Sequence, residues 1–432
     1  MKPFQIITIS VFALLALVGL FLFATFKGFG GAKPLGNVMI WGTLSADALQ
    51  PALNELKRNH KEFDKVAYLE RNESTFDADL AEAIASGTGP DMIIITQEQL
   101  TAEIPKLSII PYATIPERTY RDTYVPIYEL FLDRNGTFGV PFVVDPLVLY
   151  YNRTLLASGG LAQPPTTWEA VVGLAPTLTR KSDTGVVSRS TVAFGTYENI
   201  PNARAIISLL LLQSGSQITT YGTLGITGAL ASGGSSAAYS LSPAESAVSF
   251  YTQFADPAKV VYSWNRSLPS ARQAFTSGDS VFYVGFASEA ALLKATNPNL
   301  DFDMAPVPQP QTAQTKTDYG LAYAFAIPKA ASNPDGAYKT AQALTAKDEL
   351  YIIAGSLGMA PAKRAFLTPQ TNDIFASVYY PMAIIAKGWL SPTPGVTDAI
   401  FTAMITDVIS GRSNVHDAIK RADDALSAAF SH

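Results

Sequence analysis

The chain has 432 residues, no cysteine, 3 histidines and only 16% charged residues. Without cysteine it can form no disulfide, thiolate nucleophile, cysteine zinc site or acylated cysteine anchor. The histidines His60, His416 and His432 are too scattered to indicate a histidine metal site. The net charge of −5 argues against a nucleic-acid-binding protein, which needs a basic surface. The length suggests about two or three domains.

An uncharged stretch between Lys2 and Lys27 begins the chain. Its apolar part, from Phe4 to Phe26, matches the roughly 20 residues that a helix needs to cross a bilayer, whereas a cleaved signal has a shorter apolar region. We therefore expect residues 1–27 to be an uncleaved transmembrane anchor, with secretion after signal cleavage as the alternative. Residues 28–36 are rich in glycine and are expected to form a flexible spacer.

Strand and helix signals alternate over residues 38–95. Short apolar runs at 38–41, 66–69 and 91–95 predict strands, and the last of them is typical of a strand buried on both faces. Apolar residues with helical spacing lie between these runs, namely Leu49, Leu53, Leu56, Phe76, Leu80 and Ile84. The resulting βαβαβ order implies a parallel sheet with right-handed crossovers.

Two apolar runs at 139–144 and 147–151 are separated by Asp145 and Pro146. Because an unpartnered carboxylate is unfavourable inside an apolar region, Asp145 is expected in a solvated turn or at the mouth of a cleft. Further strands are predicted at 280–284 and 321–327, and a surface loop or hairpin at 221–236. Helices are predicted at 203–213, 243–255, 271–276, 334–344, 372–385, 396–409 and 415–430.

Motifs for known catalytic chemistry are absent from the sequence, including GxGxxG with dinucleotide spacing, the GxxxxGK[ST] phosphate loop and HExxH. Residues 354–358 loosely mimic a nucleophile elbow, but only His416 and His432 follow as candidate bases. Asp145 and Glu198 are candidates for the carboxylate pair of a glycosidase. We expect a protein that is not an enzyme and holds no metal or cofactor, with an anchored carbohydrate-active enzyme as the less favoured alternative.

Aromatic residues lie near glycine, proline or polar residues at the predicted ends of several elements. Sugar rings stack on aromatic faces through their C–H groups, while their hydroxyls need fixed donors and acceptors. Each of these aromatics could equally pack in the core, but their shared position is the one that a carbohydrate cleft requires. They are Trp41, Tyr197, Phe286, Tyr319, Trp389 and Phe401.

Several segments, in this order and spacing, resemble the extracellular solute-binding proteins of ABC importers, the maltose-binding-protein-like group. They are residues 38–41 with the helix that follows, 76–92, 139–152 with 165–168, 274–285, and 388–418. The resemblance implies an α/β fold of two lobes, the periplasmic-binding-protein type II fold, joined by a hinge and closing on ligand. Lobe one is then residues 37–143 and 306–350, and lobe two is residues 144–305 and 351–432.

The resemblance also implies a ligand site, carried over residue by residue. In it Asp145 and Glu198 accept hydrogen bonds from ligand hydroxyls, and Thr43 and Gln97 orient the ligand. Stacking faces come from Trp41, Tyr197, Phe286 and Phe401, although phenylalanine stands where the family has tryptophan at the last two positions. Further contacts are implied near two element ends, at Tyr319, Gly320 and Trp389.

The function implied is that of a receptor that captures a sugar or oligosaccharide and delivers it to an ABC permease. The expected partners are that small-molecule solute, the permease subunits and, through the N-terminal helix, the membrane. We expect a monomer whose soluble body lies on the extracytoplasmic face. A binding protein for a non-sugar solute is the alternative within the same family.

Overall fold

The computed structural model describes residues 35–222, 225–232, 241–368 and 373–431. The expected membrane anchor at residues 1–27 lies outside these residues, as does most of the expected spacer. In the part of the chain that is described, no helix is both long and apolar enough to cross a membrane.

The elements alternate along the chain. The strands are β1 (Val38–Gly42), β2 (Val66–Glu70), β3 (Met92–Thr96), β4 (Ile110–Pro111), β5 (Gly136–Thr137), β6 (Val140–Asn152), β7 (Arg180–Lys181), β8 (Val187–Val192), β9 (Thr219–Gly222), β10 (Gly225–Gly228), β11 (Ser280–Phe286), β12 (Phe302–Ala305), β13 (Asp318–Ala326), β14 (Ala360–Pro361) and β15 (Ala386–Lys387). The helices are α1 (Ala46–Asn59), α2 (Phe76–Ala85), α3 (Gln97–Glu103), α4 (Glu117–Thr123), α5 (Arg153–Ser158), α6 (Trp168–Leu178), α7 (Ala203–Gln213), α8 (Pro243–Thr252), α9 (Ala271–Thr276), α10 (Glu289–Thr296), α11 (Pro334–Leu344), α12 (Lys347–Leu357), α13 (Ala376–Ile385), α14 (Pro394–Ile409) and α15 (Val415–Ala429).

Most strands belong to one 11-stranded sheet, in which eight strands have the order β2-β1-β3-β13-β6-β11-β8-β7. The other three are attached beside this path: β12 and β14 pair with β6, and β15 pairs with β13. Strand β1 pairs in parallel with β2 and with β3, which confirms the parallel sheet predicted from the βαβαβ order. Strand β13 then pairs antiparallel with both β3 and β6. We call β2, β1, β3 and β13 the first half-sheet, and β11, β8, β7 and β12 the second half-sheet.

Strand β6 joins the two half-sheets. Its residues from Val140 to Pro146 pair with β13, and its residues from Leu147 onward pair with β11. The expectation of two runs separated at Asp145 was wrong, because β6 is one continuous strand of 13 residues. Pro146 has no N–H to donate, and it lies where β6 leaves one partner strand and joins the other.

Helices cover the sheet on both sides. In the first half, the buried stripe of α1 (Leu49, Leu53 and Leu56) shares an apolar cluster with Leu350 and Ile353 of α12. In the second half, α6 packs on β8, α9 packs on β11, and α7 packs on α8. Each half-sheet therefore has its own helical layer, and the sheet between them is buried.

The predicted helices at 203–213 and 334–344 are confirmed with those bounds. The helix predicted at 243–255 is α-helical to Thr252 and ends in a 3₁₀ turn. The helix predicted at 372–385 begins at Ala376, where the Asp373 side chain accepts hydrogen bonds from the Phe375 and Ala376 N–H groups. The segment predicted as a loop or hairpin contains the antiparallel pair β9 and β10.

Asp145 lies within β6 and is only 2% exposed, so it is not in a solvated turn. It is paired with Leu321, which lines the cleft described below. Its carboxylate accepts hydrogen bonds from the Ser288 N–H at 3.1 Å and from the Ser288 hydroxyl at 2.6 Å. Ser288 is the residue that precedes α10, so these bonds tie β6 to the start of that helix. Burial raises the pKa of Asp145 to about 7, even though the bonds from Ser288 lower it.

This raised pKa predicts a pH-dependent stability that Asp145→Asn removes. An acid whose pKa is higher in the folded state stabilises the fold below its unfolded pKa and loses that contribution as pH rises through its folded pKa. The wild type should therefore lose free energy of unfolding between about pH 4 and pH 7 relative to the variant, on the order of 4 kcal/mol. Denaturant titrations of both proteins across that range test this, and parallel pH profiles would contradict it.

Candidate functional site

A cavity of about 600 Å³, here called the cleft, opens between the two half-sheets. It lies at the carboxyl ends of β1, β2 and β3, the edge at which open α/β sheets bind ligands. The N-terminal parts of α2, α3, α7 and α14 complete its walls. Its lining residues are Thr43, Asn72, Glu73, Ser74, Asp77, Thr96, Glu98, Gln99, Arg204, Leu321, Tyr323, Thr393, Pro394 and Gly395.

Two larger cavities, of about 680 and 710 Å³, lie beside α8 on the second half-sheet. The first is formed by α6, α7 and α8 with residues 310–313, and the second by α8 with the ends of α14 and α15. Neither is lined by the carboxyl ends of the parallel strands. Size alone therefore does not identify the site, and the position and chemistry of the cleft favour it.

Hydroxyl, amide and carboxylate groups dominate the cleft wall. Thr43, Ser74 and Thr96 supply hydroxyls, and Asn72 supplies an amide. Such groups both donate and accept hydrogen bonds, as a ligand with many hydroxyls requires. The Tyr323 ring is the aromatic side chain among the residues that line the cleft.

An ion-pair network at the cleft joins α3 to α7 and α14. Glu98, only 3% exposed, is on α3 directly after β3. It accepts bonds from Arg204 at 2.9 Å (Nη2) and 3.2 Å (Nε). Arg204 is the second residue of α7, a helix that packs on β13 and, in the second half, on α8 and α14. The third guanidinium nitrogen, Nη1, donates to Asp398 of α14 at 2.5 Å. Arg204 therefore holds one carboxylate from each side of the cleft.

Two tyrosines complete this network. The Tyr319 hydroxyl donates to Glu98, and the Tyr197 hydroxyl donates to Asp398 at 2.5 Å. Burial and the neighbouring carboxylates raise the pKa of both hydroxyls above the usual value for tyrosine, so both stay protonated donors. Burial lowers the pKa of Arg204, but the carboxylates of Glu98 and Asp398 outweigh burial and raise that pKa above its ordinary value.

Several predicted site residues lie in or next to the cleft. Thr43 lines it. Gln97 is buried, where its Nε2 donates to the Gly320 carbonyl at 3.0 Å and its Oε1 accepts from the Ala322 N–H at 2.7 Å. Gln97, Gly320 and Tyr319 thus fix α3 against β13. They position the charged network, and direct ligand contacts by these residues stay a prediction.

The structure places other predicted residues away from the cleft lining. The Trp389 and Phe401 rings stack on each other at 6.1 Å in the core of the second half, and the Trp389 indole N–H donates to the Ser208 hydroxyl. Phe286 ends β11, where its N–H donates to Glu289 at 3.0 Å. One face of each ring is therefore covered by the other ring, and Trp389 lines a separate cavity of about 400 Å³ beside β9. The sequence pattern does not distinguish an element end in the core from one in the cleft.

The predicted acids are likewise engaged by protein groups. Glu198 is exposed, and its carboxylate lies 3.6 Å from the Arg266 guanidinium. Asp145 is bound to Ser288 as described above. Trp41 is only 5% exposed, and the Arg71 guanidinium lies over its ring at 3.6 Å from the centroid. Ligand contacts by Glu198, Asp145 and Trp41 stay predictions.

The sequence reasoning missed the Glu98, Arg204 and Asp398 network. One signal was present, since Arg204 is the only charged residue in the otherwise apolar helix ARAIISLLLLQ. A charge that interrupts an apolar helix needs a partner or solvent. Its partners lie 106 and 194 residues away in the sequence, so the sequence alone could not name them.

Arg204→Met tests the ion pair. The substitution leaves the buried Glu98 carboxylate without its cation, and we expect a loss of about 3–5 kcal/mol in the free energy of unfolding. The double variant Glu98→Gln/Arg204→Met should recover much of that loss, because no buried charge remains. Denaturant titration measures both. Arg118→Met, whose side chain is 94% exposed, is the matched control. A single variant as stable as the control would contradict the described pairing.

Known proteins share this fold. Residues 46–350 match the family model of bacterial extracellular solute-binding proteins. The cyclic alpha-maltosyl-1,6-maltose binding protein of Arthrobacter globiformis is 17% identical with a TM-score of 0.74, and the match covers 91% of this chain and 99% of that chain. A search of curated protein sequences found no match.

Two further solved structures are similar over nearly their whole length. The GacH receptor of Streptomyces glaucescens, solved unliganded and with acarbose, is 16% identical with a TM-score of 0.71, covering 92% of this chain and 98% of that chain. An ABC transporter solute-binding protein of Thermotoga lettingae, bound with alpha-D-tagatose, is 18% identical with a TM-score of 0.69, covering 91% and 99%. These matches confirm the two-lobe α/β fold, and the family match shows that the chain belongs to the bacterial extracellular solute-binding proteins.

Proposed function

We propose that the protein is the substrate-binding receptor of an ABC importer and that it captures a sugar or oligosaccharide in the cleft. The observation that carries this proposal is a cleft lined by hydroxyls, amides and carboxylates at the carboxyl ends of parallel strands. Its volume of about 600 Å³ is in the range of small-molecule sites. Similar proteins were solved with acarbose and with alpha-D-tagatose bound, which supports a carbohydrate ligand.

Binding is proposed to close the two lobes on the ligand. The proposed lobes are residues 37–143 with 306–350, and residues 144–305 with 351–432. In this division Glu98 belongs to lobe one, whereas Arg204 and Asp398 belong to lobe two. Closure would place the ligand between Thr43 on one wall and the start of α14 on the other, and the bonds of Arg204 to Glu98 and Asp398 would hold the closed form together.

Delivery to the permease is the second part of the proposal. Residues 1–27 would anchor the receptor in the membrane with its body on the extracytoplasmic face. Tethering raises the effective concentration of the receptor at the permease, much as a lipidated cysteine would. The receptor would act as a monomer.

The family consists of receptors, and we propose that this chain makes and breaks no covalent bond. A glycosidase needs two carboxylates facing one sugar. Here Asp145 is bound to Ser288 inside β6, and Glu198 is paired with Arg266 on the surface. Their placement does not favour hydrolysis.

A carbohydrate panel tests the ligand class. At about 1 mM, a sugar with a Kd of about 10 μM raises stability by roughly 2.7 kcal/mol, which thermal unfolding detects readily. We expect at least one of maltose, maltotetraose, acarbose and tagatose to raise the melting temperature of the full chain. Stabilisation by a peptide, polyamine or inorganic anion, with none by any carbohydrate, would contradict the proposal.

A matched pair of variants locates the site. Thr43→Val removes a hydroxyl from the cleft wall with little change in shape, and we expect about a fivefold loss of affinity for the sugar found in the panel. Thr177→Val makes the same change on the exposed side of α6 and should leave affinity unchanged. Equal affinities for the two variants would place the sugar outside the cleft.

A further inference from the structure

Arg71 directly follows β2. Its N–H donates to the Gly42 carbonyl at 2.8 Å, which brings the end of β2 beside the end of β1. The residues on either side of this junction, Thr43 and the segment from Asn72 to Ser74, line the cleft. Arg71 is not itself one of the lining residues, but its long side chain starts directly beside them.

The Arg71 side chain rests on Trp41. The guanidinium carbon lies 3.6 Å from the centroid of the Trp41 ring, a distance typical of strong cation–π contacts. Trp41 is only 5% exposed and belongs to an apolar cluster with Phe76 and Leu80 of α2. Because the ring is held by this packing, it orients the guanidinium plane.

The hydrogen-bonding capacity of this guanidinium is not used by the protein. Across the described residues, the Arg71 side chain makes no hydrogen bond and no ion pair, and its Nε is buried without a partner. The adjacent acid is engaged elsewhere, since Glu70 accepts from the Ala46 N–H at 2.7 Å. Arg204, at the same cleft, has every guanidinium nitrogen bonded to Glu98 or Asp398.

The two arginines therefore have different capacities. Five N–H donors on a guanidinium suit a pair of adjacent acceptor oxygens, which it can hold through two parallel hydrogen bonds. A partly buried guanidinium without such a partner is unfavourable, so a ligand that supplies one is favoured. The guanidinium of Arg204 is bonded to the walls of the cleft, whereas the guanidinium of Arg71 has donors available for a ligand.

We propose that Arg71, oriented by Trp41, recognises the ligand in the cleft by binding paired acceptor oxygens of the solute. This rests on the proposed function, in which the solute is a carbohydrate. Two neighbouring hydroxyl oxygens of a neutral sugar and the carboxylate of a uronic acid both present this chemistry. Trp41 then acts by positioning Arg71, rather than by stacking on the sugar itself.

The test compares Arg71→Met, Arg71→Lys and the wild type as full-length proteins. Maltotetraose, acarbose, tagatose and D-glucuronate are the probes, and Kd is measured by calorimetry. We expect Arg71→Met to lose roughly ten- to a hundredfold in affinity for the probe that binds the wild type best. Arg71→Lys keeps the charge but not the planar pair of donors, so its loss should be intermediate. A neutral probe binding best identifies hydroxyl oxygens as the acceptors, and D-glucuronate binding best identifies a carboxylate.

A second readout separates binding from a structural role. Arg71→Met removes the cation–π contact with Trp41 but no hydrogen bond or ion pair, so the ligand-free variant should unfold cooperatively within a few degrees of wild type. The control Arg118→Met removes an exposed arginine and should change neither affinity nor melting temperature. An affinity within twofold of wild type in Arg71→Met overturns the inference. If no probe binds the wild type, the proposed function and the inference that rests on it are both overturned, whereas a probe that binds the wild type and Arg71→Met equally overturns the inference alone.

Discussion

One strand, β6, sets the geometry on which the rest of the molecule depends. It is buried along nearly all of its 13 residues and pairs with β13 at one end and with β11 at the other. Because β6 belongs to both ladders, it connects the two half-sheets directly. The cleft lies beside this connection, at the carboxyl ends of β1, β2 and β3.

The charged and polar side chains of the cleft come from elements that this arrangement of strands brings together. The ion pair between Glu98 and Arg204 joins α3 to α7, and Asp398 balances the guanidinium from the other side. A buried pair contributes little net stability but strongly disfavours arrangements in which one partner is left alone. The network therefore favours the arrangement in which Glu98, Arg204 and Asp398 meet, while the polar groups that surround it are available to a solute.

Sequence patterns predicted the order of elements well because those patterns are local. The stripe of Leu49, Leu53 and Leu56 and the apolar run at 91–95 depend on residues a few positions apart, and both formed as expected. Ordered motifs also identified the family, now shown by the match over residues 46–350. The anchor expected at residues 1–27 lies outside the described residues.

Site residues were harder to predict, because exposure at an element end depends on distant partners. Asp145 lies opposite Leu321 and is bound by Ser288, each more than 140 residues away, and nothing near it in sequence shows that it is buried. Trp389 and Phe401 are both at element ends, yet they face each other in the core. Arg71 and Arg204 look alike in sequence, and only their contacts distinguish the free guanidinium from the paired one.

A crystal structure of the full chain with the best-binding carbohydrate would show directly whether the cleft is the sugar site. We expect electron density for the sugar between Thr43 and the start of α14, with the bonds between Arg204 and Glu98 intact beside it. Sugar bound in a cavity beside α8, or an Arg204 side chain released from Glu98 in the liganded protein, would contradict a sugar site in the cleft.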